Sequence, residues 1–427
     1  MSSKLRTALL ALVAVAVATA GGWVLLRRPH CAAVSCSSTS EAEVEPHLAV
    51  SDNGTLALAW MAVREQPERP APKGRKVQME ADAADAIGLR LSLDAGRSWQ
   101  TALRIEDPGR FAADPVLVPA SGSSFDLVWL SFRQNLAIGG DPYDMRVRTT
   151  RIDKTAAQVI EVSGTDPDQQ VDKPWAARST YGKLLVVYRY ATAVEAGIAF
   201  ATVDSGSVQR TALVRAPGFA GGLPTLCMGE SMDRGWVAYI DPSRGAVIAA
   251  VEMRAEWRDS RVSTDGERVA MEAPACLARG RTVWVLYGVE ARPANPRLSA
   301  LLSHAVIARS DDEGRTFKVR TELKEAADAI MHPTFAFGPQ GTLVLAWYAG
   351  PPDAPGQGRV RWIRMREDGA LEGQPQTLRE GLKLALHRED PTWVGDYMSV
   401  ASGSGSAWAA FGDNRTGRSH IDVAALP

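Results

Sequence analysis

The chain lacks the short motifs that most enzymes of its length would betray. No GxSxG elbow, phosphate-binding GxxxxGK loop, HExxH pair or GxGxxG fingerprint occurs, so lipase, nucleotide, zinc-protease and dinucleotide readings lack their essential parts. A basic excess is also missing: 48 lysines and arginines face 49 acidic residues among 427, which leaves nothing to neutralise a nucleic-acid backbone. Cysteine is scarce, at four residues, and histidine amounts to six. One histidine beside loosely spaced carboxylates does not make a metal site, so neither metal nor cofactor is expected.

The N-terminus is a separate piece. Lys4 and Arg6 precede an apolar run from Thr7 to Leu26, closed by Arg27 and Arg28, and about twenty such residues suffice to cross a bilayer as a helix. Residues 1–28 therefore read as a signal peptide or a transmembrane anchor. The run's length favours a retained single-pass anchor, and the small residues Ala18, Thr19 and Ala20 favour cleavage. Either outcome places the rest outside the cytoplasm, at the cell membrane or secreted. Residues 29–44 read as a tether. Removing residues 1–30 takes away four cations and no acids, leaving 44 against 49, a net charge of −5.

What the remainder has in abundance is turn residues and a repeat. The whole chain has 37 glycines, 25 prolines and 12 tryptophans, which suits a large β core with many turns. A proline followed about fourteen residues later by an aromatic at the end of an apolar run recurs as Pro46–Trp60, Pro115–Trp129, Pro174–Tyr188, Pro224–Tyr239, Pro274–Tyr287 and Pro333–Trp347. Tyr397–Phe411 is a seventh copy with tyrosine for proline. Successive starts lie 69, 59, 50, 50, 59 and 64 residues apart, the scale of one four-stranded sheet each. The first copy shows the grammar: a strand from His47, a turn at Asp52–Gly54, an apolar strand from Thr55, then Ile87–Ser92 and Trp99–Ile105 as third and fourth strands. Isolated sheets of this size leave both faces wet, so they must stack about an axis. The expected fold is all-β, a seven-bladed propeller over residues 45–427. Only three strands follow Tyr397, so Cys31–Val44 are expected to supply the last blade's fourth.

Cys227 and Cys276 fall at matching depth on neighbouring first strands. They read either as a disulfide, in an oxidising compartment, or as two buried thiols. Cys31 and Cys36 sit in the tether and could pair locally.

Two segments carry a family resemblance. Ser92, Asp94, Gly96 and Trp99 match SxDxGxxW, and Ser310, Asp312, Gly314 and Phe317 match it with phenylalanine for tryptophan. This is the Asp box, or BNR repeat, and on it the chain resembles the sialidase-like propeller superfamily. The resemblance implies scaffold turns on the rim away from the ligand site. It also implies six blades for catalytic members, which makes six the alternative to seven.

Propeller first strands line the channel, so the residues before each unit's start gather at one mouth. They are Glu45, Asp114, Lys173, Leu223, Ala273, His332 and Asp396. Four residues beyond the second-strand aromatic stand Arg64, Arg133 and Arg415, in three neighbouring units. By analogy with catalytic sialidases, these arginines would grip a substrate carboxylate. Tyr397 would be the nucleophile, Glu45 its base and Asp114 the proton donor, an exception to the usual carboxylate pair. Two departures stand against that: the FRIP-like arginine motif is absent from Glu41–Leu48, and the GDY…DxR pattern of Gly395–Arg415 occurs in propellers without established activity. The constellation thus reads as an interblade salt-bridge ring, a non-hydrolytic binding site or a glycosidase centre. The expected function is a glycan- or protein-binding scaffold module of the cell envelope, with an exo-sialidase or other glycoside hydrolase as the competing class.

Overall fold

A computed structural model describes residues 41–64, 84–106, 109–133, 142–153, 158–164, 166–216, 222–229, 234–252, 258–290, 302–326, 328–351, 354–384, 392–403 and 405–426. The expected signal or anchor, the tether up to Ser40, and Cys31 with Cys36 lie outside the described residues.

Every unit opens with hairpins of adjacent antiparallel strands. The first sheet holds β1 (Glu41–Val50), β2 (Leu56–Arg64), β3 (Ala84–Ser92) and β4 (Leu103–Glu106) in chain order. The second holds β5 (Phe111–Pro119), β6 (Phe125–Arg133), β7 (Tyr143–Ile152) and β8 (Ile160–Glu161). The third holds β9 (Gln170–Arg178), β10 (Leu184–Ala191), β11 (Ala196–Asp204) and β12 (Ser207–Ala216). The fourth holds β13 (Gly222–Met228), β14 (Arg234–Asp241), β15 (Gly245–Glu252) and β16 (Arg258–Arg261).

Two units then share a sheet. β17 (Ala275–Arg279), β18 (Thr282–Glu290), β19 (Leu302–Ser310) and β20 (Val319–Leu323) join β21 (Ala329–Phe337), β22 (Thr342–Gly350), β23 (Gly358–Arg366) and β24 (Leu371–Leu382). The last sheet has three strands, β25 (Ser399–Gly403), β26 (Ser406–Asp413) and β27 (His420–Leu426). The all-β propeller of four-stranded antiparallel blades is thus present. First strands touch in chain order and β25 touches β1, so the sheets close about an axis.

The count of separate blades differs from the expectation of seven, and from the alternative of six. Five sheets carry four strands or more and a sixth carries three. The merger has a local cause. β20 pairs only with Ala305–Arg309 of β19, which leaves Leu302 open to Ile330 of β21. The expected fourth strand for the last sheet is corrected in part. Glu41–Val44 belong to β1 and pair with Met61–Arg64 of β2, and among the described residues nothing pairs with the outer edge of β27.

The repeated aromatics fill the space between sheets. Trp60, Trp129, Tyr287, Trp347 and Phe411 of the repeat are fully buried, as are the nearby Trp236 and Trp284. Trp60 faces Gly88 across β2 and β3, where a Cβ would lie 2.2 Å from the indole, so glycine is what admits the ring.

The prolines mark a second repeated feature that the sequence reading did not foresee. Glu45, Asp114, Lys173, Leu223 and His332, each immediately before a proline, have φ of 54°, 50°, 47°, 54° and 49°. In each first strand the pairing register shifts at that point. A bulge leaves one residue unpaired, which suits a proline without an N–H, and it re-aims the preceding side chain. The left-handed conformation is costly for such residues, on the order of 1–3 kcal/mol each.

Candidate functional site at the channel mouth

The bulges of β1, β5 and β9, with the segment just before β25, gather four charged side chains at one point. Lys173 Nζ lies 2.7 Å from Asp114 Oδ1, 2.9 Å from Asp396 Oδ2 and 3.7 Å from Glu45 Oε1. The Asp396 N–H donates to Glu45 Oε1 at 3.4 Å. The side chains of Glu45 and Asp114 are 2% and 6% exposed, and that of Asp396 is 34% exposed, so the knot opens to solvent on the Asp396 side. Burial alone would lower the lysine's pKa, but Asp114, Glu45 and Asp396 outweigh it and hold the ammonium well above its ordinary range. Beside it, burial and then Asp114 push the Asp172 carboxyl up.

Tyr397 joins this group, its ring centroid 5.7 Å from Lys173 Nζ. Its hydroxyl is buried, with no hydrogen-bond partner among the described residues. Burial first, then Glu45, Asp114 and Asp396, raise its pKa well above that of a free phenol.

Glu45, Asp114, Lys173, Asp396 and Tyr397 are therefore together, as their positions before or at each unit's start implied. His332 is not in the knot. Its Nδ1 lies 2.6 Å from Glu272 Oε1, which also accepts its backbone N–H at 2.8 Å, and its ring meets Tyr348 edge-on. The grouping of His332 with Asp396 and Glu45 is corrected accordingly, because Glu272, in the segment before β17, takes the imidazole.

Each candidate arginine has its own setting. Arg415 Nη2 lies 2.6 Å from Asp413 Oδ2, its Nε 2.9 Å from Oδ1 of the same carboxylate, and this pair with Arg379 holds the Asp413 carboxyl low against the effect of burial. Arg133 ends β6, is 53% exposed, and lies 3.6 Å from Asp144. Arg64 ends β2, where its backbone faces Glu41.

Sequence reasoning missed Asp144. It accepts from buried Arg110 at 2.6 Å and from Arg146 at 2.7 Å, at a φ of 49°. Burial would raise its pKa, and the two guanidiniums reverse that. The signal available was an arginine at the start of the strand carrying Asp114, but its partner lies across a loop whose length sequence does not constrain.

The two SxDxG turns sit at the other ends of the strands, between third and fourth strands. Ser98 N–H and Oγ both donate to the Asp94 carboxylate, at 2.8 and 2.6 Å, and Ser92 Oγ donates at 2.9 Å. These hydrogen bonds, that of the Ser98 side chain foremost, bring its pKa down to about 2. Asp312 repeats the pattern with Thr316 and Ser310, and is also lowered. Each turn glycine approaches a tryptophan of another sheet: Gly96 faces Trp408 and Gly314 faces Trp236, whose indole N–H donates to Glu313 O at 3.0 Å. Trp99 and Phe317 pack on the adjoining apolar clusters. Cys227 and Cys276 form a disulfide between β13 and β17, with Cα atoms 5.6 Å apart.

Sheets closed about an axial charge knot, with SxDxG turns at the opposite ends of the strands, define a β-propeller. No protein-family model matches the chain, and no curated protein matches it. Among solved structures, the chain is similar to a protein of unknown function from Dyadobacter fermentans, with 12% identity and a TM-score of 0.51, covering 92% of this chain and 96% of that one. An α-L-arabinofuranosidase from Fusarium graminearum follows with 10% identity and a TM-score of 0.47, covering 90% and 93%. An intramolecular trans-sialidase from Ruminococcus gnavus has 10% identity and a TM-score of 0.47, covering 92% and 96%. At these identities the likeness is one of fold.

Proposed function

We propose that the propeller is an exported recognition module that binds a glycan or an envelope protein at the channel mouth without hydrolysing it. One observation carries this reading: Lys173 occupies the carboxylates that a hydrolase would need free. Glycoside hydrolysis requires one acid to give a proton while a second group attacks or activates water. Glu45 and Asp114 instead share an ammonium, and Asp396 is the third ligand of the same cation. The phenol that would attack is buried and its pKa is raised, which opposes its ionisation.

The rim of the mouth is the recognition surface in this reading. Arg133 is exposed, and Tyr143, its partner in register across β6 and β7, is half exposed. Arginine beside tyrosine offers a charged fork and a flat apolar face, the combination enriched where ligands dock. The Cys227–Cys276 disulfide supports an oxidising compartment, and residues 1–28 would tether the module to the membrane or be removed on export.

The test is a glycan array and envelope-protein binding screen with the exported chain, repeated with Arg133→Ala and Tyr143→Ala. Retention of a defined ligand that both variants lose supports the reading. Binding that neither variant alters removes the mouth as its site. Turnover of a sialoside that depends on Tyr397 would establish the exo-glycosidase instead.

A further inference from the structure

The turn between β1 and β2 holds the one asparagine of this chain that a glycine follows. Of the four asparagines, Asn53 precedes Gly54, whereas Asn135, Asn295 and Asn414 precede Leu136, Pro296 and Arg415. The pair sits in a three-residue connection, 52–54, closed by the Ser51 N–H donating to Thr55 O and the Gly54 N–H donating to Ser51 O, both at 2.9 Å. Gly54 has a φ of 82°, the left-handed conformation that such a connection needs. Asn53 itself is exposed, so water and hydroxide reach it.

Two hydrogen bonds arrange its side chain for attack by its own backbone. Asn53 Oδ1 accepts from the Thr55 N–H at 3.2 Å, an Asx turn that folds the carboxamide back over the Gly54 peptide. Ser51 Oγ donates to the same oxygen at 2.6 Å. If the Gly54 nitrogen adds to Cγ, negative charge develops on Oδ1, where both donors already point. Glycine places no Cβ beside the attacking nitrogen. The leaving nitrogen, Nδ2, forms no hydrogen bond among the described residues. Asn414 has the opposite setting. It is fully buried, its Nδ2 donates to Lys383 O and Thr392 O, and its Oδ1 accepts from the Lys383 N–H, so loss of ammonia there breaks an occupied network.

We propose that Asn53 is a self-modifying site, converted to aspartate and isoaspartate through a cyclic imide with Gly54. The Gly54 nitrogen gives its proton to hydroxide, its hydrogen bond to Ser51 O opening as it does so, and bonds to Asn53 Cγ. The Cγ–Nδ2 bond then breaks and ammonia leaves, protonated by water. A second water opens the imide at either carbonyl, so that one water is consumed and one ammonia released overall. Opening at Cγ gives aspartate, which keeps an acceptor for Ser51 and Thr55. Opening at the main-chain carbonyl gives isoaspartate and lengthens the connection by one methylene, beside the paired Val50 and Leu56 of β1 and β2.

Peptide mapping by mass spectrometry, on purified protein incubated at mildly alkaline pH and physiological temperature, tests this. Asn53 should convert at least tenfold faster than Asn135, Asn295 or Asn414, with both products formed. Ser51→Ala removes one donor to Oδ1 and should slow the conversion severalfold, whereas a turn that merely shielded Asn53 would react faster once loosened. Should Ser51→Ala fail to fold, the wild-type comparison decides alone. An Asn53 that stays intact, converts no faster than the other three, or yields aspartate without isoaspartate overturns the proposal, and so does faster conversion in Ser51→Ala.

Discussion

Lys173 Nζ and Asp114 Oδ1 meet at 2.7 Å from residues that stand at equivalent positions on neighbouring first strands, each with a left-handed backbone immediately before a proline. The same local device therefore supplies both halves of the ion pair. A bulge that turns a lysine toward the axis in one unit turns an aspartate or a glutamate toward it in the next, and Asp396 completes the set.

Lysine 173 should be the most sensitive position in the mouth. Lys173→Met leaves Glu45 and Asp114 buried without their counter-charge, and removing one partner of such a set costs on the order of 3–5 kcal/mol. Urea unfolding at pH 7 measures the loss. In the wild type, the lysine's folded pKa lies above its unfolded one, so its contribution is full below the unfolded pKa, near 10.4, and is lost only as pH rises through the raised folded value.

The Asp94 turn gives a sharper titration. Its carboxyl should titrate near pH 2 by carbon-detected NMR, and Ser98→Ala should move it back toward the ordinary range. A folded pKa below the unfolded one means that the turn's contribution is present above about pH 4 and is lost as pH falls through the folded value. Acid unfolding should accordingly begin at higher pH in Ser98→Ala than in wild type. An unmoved Asp94 resonance would show that Ser98 does not hold this turn.

Reduction of Cys227–Cys276, or the paired serine substitution, should lower stability by about 2–4 kcal/mol, since the bond closes a loop across 49 residues of sequence. Thermal melts with and without reductant check this. Equal melting temperatures would mean that the two sheets are held together without the bond.

Gly88→Ala should destabilise by about 1–3 kcal/mol, the usual range for overpacking a filled core. The added methyl falls 2.2 Å from the Trp60 indole, so the tryptophan fluorescence maximum should shift along with the melting temperature.

Much of this was legible in the sequence because it depends on local rules. Proline to aromatic spacing located first and second strands, and the residue before each unit's start placed Glu45, Asp114, Lys173 and Asp396 at a common mouth. Cysteines at matching depth on neighbouring units proved close enough to bridge. What escaped depends on loops. Glu272 claims His332 from a segment with no repeat signature, and Asp144 on β7 claims Arg110 from across β6, together with Arg133 at the end of β6 and Arg146 on its own strand. The separation of sheets failed for a similar reason: a five-residue β20 leaves Leu302 uncovered, and strand length at that resolution is not written in apolar alternation. The packing of Gly96 on Trp408 and of Gly314 on Trp236 also joins different sheets, beyond the reach of a motif confined to one turn.

Whether the mouth performs chemistry decides between a recognition module and a hydrolase. Incubation of the purified protein with fluorogenic sialoside and arabinofuranoside substrates, alongside Tyr397→Phe, measures this directly. Fluorophore release by the wild type should equal that of the protein-free control and be unaffected by the substitution. Release well above control that disappears in Tyr397→Phe would contradict the account and make the lysine knot part of a catalytic centre.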